Sequence, residues 1–220
     1  MTKLEQLQHA IQEANLFRSK LTEPALAVPG LTSLKIRHLM NNIGAISTKF
    51  AEIGSHVGGT FCSAIYGNSN LQEATSVDNF SELFGSENPM PLLLDNVAKF
   101  IPQGTKFSLI NKDCWGPIDN PPKEVDFFMY DGAHSFETQR DAMTHFVPWL
   151  ADECIFVIDD ASSWTFVMEG IRDGLKLAQL RHNRNSDGYR LIWEQELWDG
   201  QEGNNFGWHN GLWVGLISKK

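Results

Sequence analysis

The residues with the clearest chemical potential are Asp131 and His134, in the stretch Tyr130-Asp131-Gly132-Ala133-His134, and the adjacent pair Asp159-Asp160. Three carboxylates brought to one place repel one another and raise their own pKa values. A hard divalent cation relieves that conflict, and oxygen ligands with open positions suit Mg²⁺. An imidazole beside them titrates near neutral pH and is a general base for a substrate hydroxyl; Asp131 is the other group able to take that proton. A plainer role is helix capping: Asp131 for a helix over Phe136 to Leu150, and Asp159 or Asp160 for one that begins near Trp164. Caps account for one carboxylate each, not for an adjacent pair. Trp164, with Ser162 and Ser163, is either a wall of an acceptor pocket or core.

A second constellation lies upstream. Glu52-Ile53-Gly54-Ser55-His56-Val57-Gly58-Gly59-Thr60 reads as a strand that runs through a glycine-rich turn into a helix. Glycines allow positive φ and a close approach of backbone to ligand, and free amides at a helix start receive a carboxylate or phosphate. The spacing is not GxGxxG, so the dinucleotide fingerprint fails at its middle glycine. Asp78, in Ser76-Val77-Asp78-Asn79-Phe80, is placed to accept hydrogen bonds from ribose hydroxyls. Its alternative role is a loop cap.

The elements that must position these groups alternate along the chain. Apolar helical spacing over Leu4, Leu7 and Ile11 and a second helix over Leu34 to Ile43 precede the first strand. FAEIG, ATSVD, FSLIN, VDFFMYD and CIFVIDD follow as strands, separated by helical stretches such as Thr60–Tyr66, Leu92–Phe100 and Phe136–Leu150. Such alternation predicts βαβ units and a parallel sheet. YRLIWEQELW and GLWVGLIS come without an intervening helix, which predicts an antiparallel finish. The expected fold is α/β: a Rossmann-like, doubly wound, seven-stranded sheet with helices on both faces. A helical cap over residues 1–45 and a catalytic domain over 46–220 are expected. Ligands of open α/β sheets bind beyond the carboxyl ends of the strands, where Gly54, Asp78, Asp113, Asp131 and Asp159 fall.

The ExGxxxGxT pattern resembles motif I of class I S-adenosylmethionine-dependent methyltransferases, especially the metal-dependent small-molecule O-methyltransferases. The resemblance implies that Gly54, Ser55, Gly58 and Gly59 line the methionine part of the cofactor, that Thr60 reaches its carboxylate, and that Glu52 supports the site. By the same resemblance Asp78 holds the ribose, Asn79 and Phe80 flank ribose and adenine, and Asp113-Cys114 meets the adenine edge. Asp131, Asp159 and Asp160 match the magnesium ligands of catechol-type and sugar-tailoring O-methyltransferases, which implies metal-assisted methylation of a hydroxyl. The N-terminal helices and the segment between Asp78 and Leu92 are then expected to close over the substrate. The two alternatives are a metal-dependent hydrolase and a non-catalytic cofactor-binding module. Neither gives the glycine turn, Asp78 and the acidic pair a role together.

With 27 acidic against 18 basic residues the formal net charge is −9. A field of that sign repels phosphate backbones, and the local basic group Arg181, His182, Arg184 and Arg190 reads as a helix end, so no nucleic-acid partner is expected. A small-molecule or carbohydrate hydroxyl is expected instead. Cys62, Cys114 and Cys154 are widely spaced and form no CxxC pair, which predicts reduced thiols and a cytoplasmic protein. No apolar run is long enough for a membrane span. The apolar face of the first helix permits a homodimer.

Overall fold

A computed structural model describes residues 1–219 apart from Ser163, Asn185 and Ser186, so the pocket-wall assignment of Ser163 lies outside the described residues. Three helices come first: α1 (Lys3–Asn15), α2 (Glu23–Leu26) and α3 (Leu34–Gly44). The sheet is then built from β1 (Lys49–Ile53), β2 (Glu73–Val77), β3 (Lys106–Ile110), β4 (Val125–Tyr130), β5 (Leu150–Ile158), β6 (Arg190–Leu197) and β7 (Leu212–Ser218). Helices α4 (Gly59–Ile65), α5 (Met90–Phe100), α6 (Phe136–His145) and α7 (Thr165–Asn183) fill the connections.

The strand order is β3-β2-β1-β4-β5-β7-β6. Strands β1 to β5 are parallel, and β7 inserts antiparallel between β5 and β6. This is the expected Rossmann-like sheet with its antiparallel finish. The chain lays β1, β2 and β3 outward on one side and returns to place β4 on the other, so the order reverses between β1 and β4. Helices cover both faces, and the strand residues alternate between two apolar cores. Phe50, Phe127 and Ile155 pack on one side with α1, α3 and α4. Ala51, Phe128 and Phe156 pack on the other with α6 and α7. Strands buried on both faces carry apolar residues almost continuously, which is why the runs were readable as strands.

One helix ends earlier than expected. The helix expected over Phe136–Leu150 ends at His145, and a single 3₁₀ turn over Val147–Trp149 leads into β5. Pro148 has no amide to donate, so an α-helix cannot run through it. Trp208, in the polar segment before β7, is buried in the core shared by the N-terminal helices. Ser33 Oγ donates to the Gly207 carbonyl at 2.6 Å and Leu34 N–H to the Asn205 carbonyl at 3.0 Å, which ties the two ends of the chain together. Lys35 adds an ammonium 5.5 Å above the Trp208 ring. Among the described residues no helix is long and apolar enough to cross a membrane.

Helices α6 and α7 pack through glycines. A Cβ on Gly174 would collide with the Arg140 carbonyl and lie 2.6 Å from Met143 Cγ; on Gly170 it would sit 2.5 Å from the Phe136 carbonyl. Alanine is the better helix former by about 1 kcal/mol, but overpacking against backbone costs about 1–3 kcal/mol. Gly174→Ala is therefore expected to lower the melting temperature by several degrees in thermal denaturation; an unchanged or higher value would show that the two helices have room to separate.

Candidate functional site

The backbone ladder of the sheet continues one residue past the parallel strands. Gly54 N–H donates to the Val77 carbonyl, Asp78 N–H to Ile110, Asp131 N–H to Ile53, and Asp159 N–H to Tyr130, all at 2.9–3.1 Å. Gly54, Asp78, Asp131 and Asp159 thus stand in one row along the carboxyl edge, and the order reversal between β1 and β4 lies within it. A cavity of about 600 Å³ opens above this row.

Gly54 is at φ +84°, and a Cβ there would run into the Asp131 carbonyl. Only glycine lets β1 and β4 approach this closely at their crests. Beyond it the chain turns through Ser55 and His56 and enters α4 at Gly58, which holds a left-handed conformation. Ser55, Gly59 and Thr60 line the cavity. Gly58 is turned instead toward Leu93 of α5. Glu52 is fully buried beneath the turn, where it accepts a hydrogen bond from the Thr60 hydroxyl. Thr60 therefore directs its proton to Glu52 rather than into the cavity. Burial pushes the Glu52 carboxyl well up, and the charges of Asp131 and Asp78 add to that.

Asp78 performs the expected local task and leaves capacity for a second. Its carboxylate accepts from His56 N–H at 2.8 Å and from Phe80 N–H at 2.6 Å, so it fastens the glycine turn to the loop after β2. An ionised carboxylate has about four lone-pair sites, so two remain for a ligand's hydroxyls. Asn79 lines the cavity, but Phe80 does not: it is buried in the core below. Asp113 and Cys114 line the same end. Asp113 accepts from Trp115 N–H at 3.0 Å. Trp115, packed edge-on against Tyr130, adds an aromatic wall.

The other end of the cavity carries Asp131, His134, Asp159 and Asp160. His134 is held by its neighbour's carbonyl: Ala133 O accepts from Tyr130 Oη at 3.2 Å and from Thr138 Oγ1 at 2.5 Å. A capping box between Ser135 and Thr138 then starts α6. His134 Nε2 lies 3.6 Å from Asp131 Oδ1 and 3.5 Å from Asp160 Oδ2, between the two carboxylates. Asp159 and Asp160 diverge. Asp159 extends the ladder and is buried, whereas Asp160 adopts φ +54°, donates its N–H to Asp159 Oδ1 at 2.9 Å and faces His134. The three expected magnesium ligands Asp131, Asp159 and Asp160 are neighbours but do not close into a ligand set: among the described residues no group of three or more His, Cys, Asp or Glu is arranged to hold a metal ion. Their hard oxygens suit Mg²⁺ chemically; their arrangement, with an imidazole between two of them, does not fit it.

Sequence reasoning missed the residues that close the cavity from the ends of the chain. Gly30, Leu31 and Thr32 come from the segment before α3, and His209 and Asn210 from the loop before β7. The N-terminal segment is fastened by Arg37, a buried guanidinium that donates to the Val28 carbonyl at 2.7 Å and to the Gly59 carbonyl at 3.3 Å. The available signals were the Pro29-Gly30 breaker and a cation inside an apolar helix.

Burial pushes Asp159 well above the usual carboxylate range, and Asp131, Asp160 and Glu52 add like charge. Burial also raises Asp131, against the opposing effect of His134. A carboxyl whose folded pKa exceeds its unfolded value of about 3.9 contributes its full stability below that pH and loses it as pH rises through the folded pKa. Asp159→Asn keeps an acceptor for Asp160 N–H and removes the charge. It is expected to stabilise the fold by about 1–3 kcal/mol at pH 7. The advantage should shrink toward pH 4 in denaturant titrations at the two pH values. A variant less stable than wild type at pH 7 would contradict this reading.

Residues 51–161 match a family described as a methyltransferase domain. No curated protein matches the chain. Among solved structures, the M. capricolum TrmK bound to S-adenosyl-homocysteine superposes with a TM-score of 0.50 at 15% identity, over 82% of this chain and 67% of that one. The O-methyltransferase from Bacillus cereus, also in complex with S-adenosyl-homocysteine, gives 0.55 at 10% identity, over 97% and 91%. PH1948 of Pyrococcus horikoshii, described as a candidate RNA methyltransferase, gives 0.53 at 14% identity, over 99% and 96%. The chain spans 50% and 52% of the length of two further similar structures. The fold is that of the class I methyltransferases. It is shared over nearly the whole chain with a candidate RNA-modifying enzyme, so the exclusion of nucleic acid drawn from net charge does not stand. Net charge is a property of the whole surface and leaves the surroundings of one cavity undecided. With half of its length matched, the chain belongs to the methyltransferase-domain family.

Proposed function

We propose that the protein transfers a methyl group from S-adenosylmethionine to a hydroxyl, with the residue 46–220 unit holding the cofactor and the segment before it helping to cover the acceptor. The observation that carries this reading is the row Gly54, Asp78, Asp131 and Asp159 beneath one cavity, with the glycine turn at one end and Asp131 with His134 at the other. The unpartnered, buried Ser55 Oγ in the cavity lining fits a ligand that brings polar groups of its own. Bound S-adenosylmethionine supplies a methyl on a sulfonium sulfur, which keeps the C–S electron pair as an acceptor oxygen's lone pair forms the new C–O bond.

The chain's part is alignment and proton handling. Gly54, Ser55 and Gly59 would hold the amino-acid portion, Asp78 the ribose hydroxyls, and Asp113, Cys114 and Trp115 the adenine. In-line displacement depends on near-attack alignment more than on any reactive side chain. The acceptor's proton goes to the Asp131–His134 couple; burial lifts Asp131 toward the basicity that a proton acceptor at neutral pH needs. The magnesium-assisted version implied by the resemblance differs in one observable, its response to chelation.

The test is transfer of labelled methyl from S-adenosylmethionine to three acceptor classes, namely catechols, glycosides and structured RNA, with and without EDTA. Activity on at least one class, unchanged by EDTA, is expected, with Asp131→Asn reducing the rate at least about 100-fold while cofactor affinity holds. Loss of activity in EDTA that Mg²⁺ restores would favour the metal-assisted version. Hydrolysis of substrates without S-adenosylmethionine would sink the methyltransferase reading.

A further inference from the structure

The acidic end of the cavity already contains a basic group in the place where a metal would be sought. His134 Nε2 is buried without a hydrogen-bond partner, and sits 3.6 Å from Asp131 Oδ1 and 3.5 Å from Asp160 Oδ2. The indole of Trp164 covers the imidazole at 5.8 Å between ring centres, and Trp164 in turn stacks on Phe166 at 6.0 Å with 7° between planes.

The backbone is shaped to make this arrangement. Asp160 takes a left-handed conformation that is uncommon for a non-glycine residue and persists only where its surroundings enforce it. That twist turns its carboxylate away from Asp159 and toward His134, with its own N–H on Asp159 Oδ1. On the other side, Tyr130, Thr138 and Gln139 all donate to the Ala133 carbonyl, which fixes the peptide that precedes the imidazole. A strained turn on one strand end and a triply anchored peptide on the next hold one contact.

We propose that the imidazole of His134, set between Asp131 and Asp160, fills the space that a divalent ion bridging these carboxylates would need, and that the protein works without such an ion. This rests on the methyltransferase reading only for its catalytic consequence; the occupancy of the position by His134 is a property of the free protein. A ring nitrogen held beside the acceptor can hydrogen-bond its oxygen without the need for bound metal. Asp131 is then the member of the couple that receives the proton.

The test follows the thermal stability of the full chain with Mg²⁺ or Mn²⁺ alone as the probe. Millimolar metal is expected to leave the wild-type melting temperature unmoved. His134→Ala, which leaves the carboxylates uncompensated, is expected to melt lower and to be raised again by Mn²⁺, with the rescue lost in His134→Ala/Asp160→Asn. His134→Gln, closer in volume, serves if the alanine variant does not fold. Electron paramagnetic resonance of free Mn²⁺ over wild-type protein gives a reading that needs no variant. A saturable wild-type Mn²⁺ site abolished by Asp131→Asn would overturn the proposal, and so would histidine variants that neither lose stability nor gain a metal response. Titration of the same wild-type sample with S-adenosylhomocysteine separates the two ideas: failure there removes the cofactor reading and leaves the metal result to stand or fall alone.

Discussion

The site depends on one close approach, the contact of the Gly54 backbone with the carbonyl of Asp131 at the crest of β1 and β4. Because no side chain intervenes, the ladder carries on past the ends of the strands and brings the glycine turn, Asp78, Asp131 and Asp159 level. Everything else in the cavity is set relative to that row. The turn is fastened sideways by the Asp78 carboxylate and from beneath by the Glu52–Thr60 hydrogen bond. From above, the buried Arg37 holds it to the segment before α3. A larger residue at position 54 would push the two central strands apart and misalign both halves of the site together.

The acids along this edge act against stability. Glu52 and Asp159 are buried where ionisation is unfavourable, and Asp131 is raised by the same burial. A fold selected for stability alone would place amides or apolar groups there. The concentration of these groups at one cavity, with an imidazole set among them, marks the edge as a place where charge is to be handled. Two apolar cores and a continuous, mostly parallel sheet provide the stability that offsets the burial of these acids.

Much of this was legible in the sequence. The central strands β4 and β5 stood out because burial on both faces makes them runs of apolar residues, and four of the five parallel-strand segments ended in a polar or acidic residue. Glu52 to Thr60, Asp78, Asp113, Asp131, His134 and the acidic pair all fall at the carboxyl edge. What was hidden depends on geometry that has no pattern in the chain. Nothing in Asp159-Asp160 announces that the second residue turns left-handed and faces His134 rather than joining its neighbour. Thr32 and His209 line the cavity from opposite ends of the chain, in segments without periodicity that the Ser33–Gly207 hydrogen bond ties together. Phe80, adjacent to a ribose-binding candidate, is directed into the core by its positive φ instead of into the cavity.

The central claim is that the row at the carboxyl edge is a cofactor site, and calorimetric titration of the wild-type protein with S-adenosylhomocysteine tests it most directly, beside Gly54→Ala as the variant that forces β1 from β4. One site of micromolar affinity is expected in the wild type, and a loss of at least about tenfold, 1.4 kcal/mol, in the variant. Absence of binding to folded wild-type protein, or equal affinity in a folded Gly54→Ala variant, would contradict it.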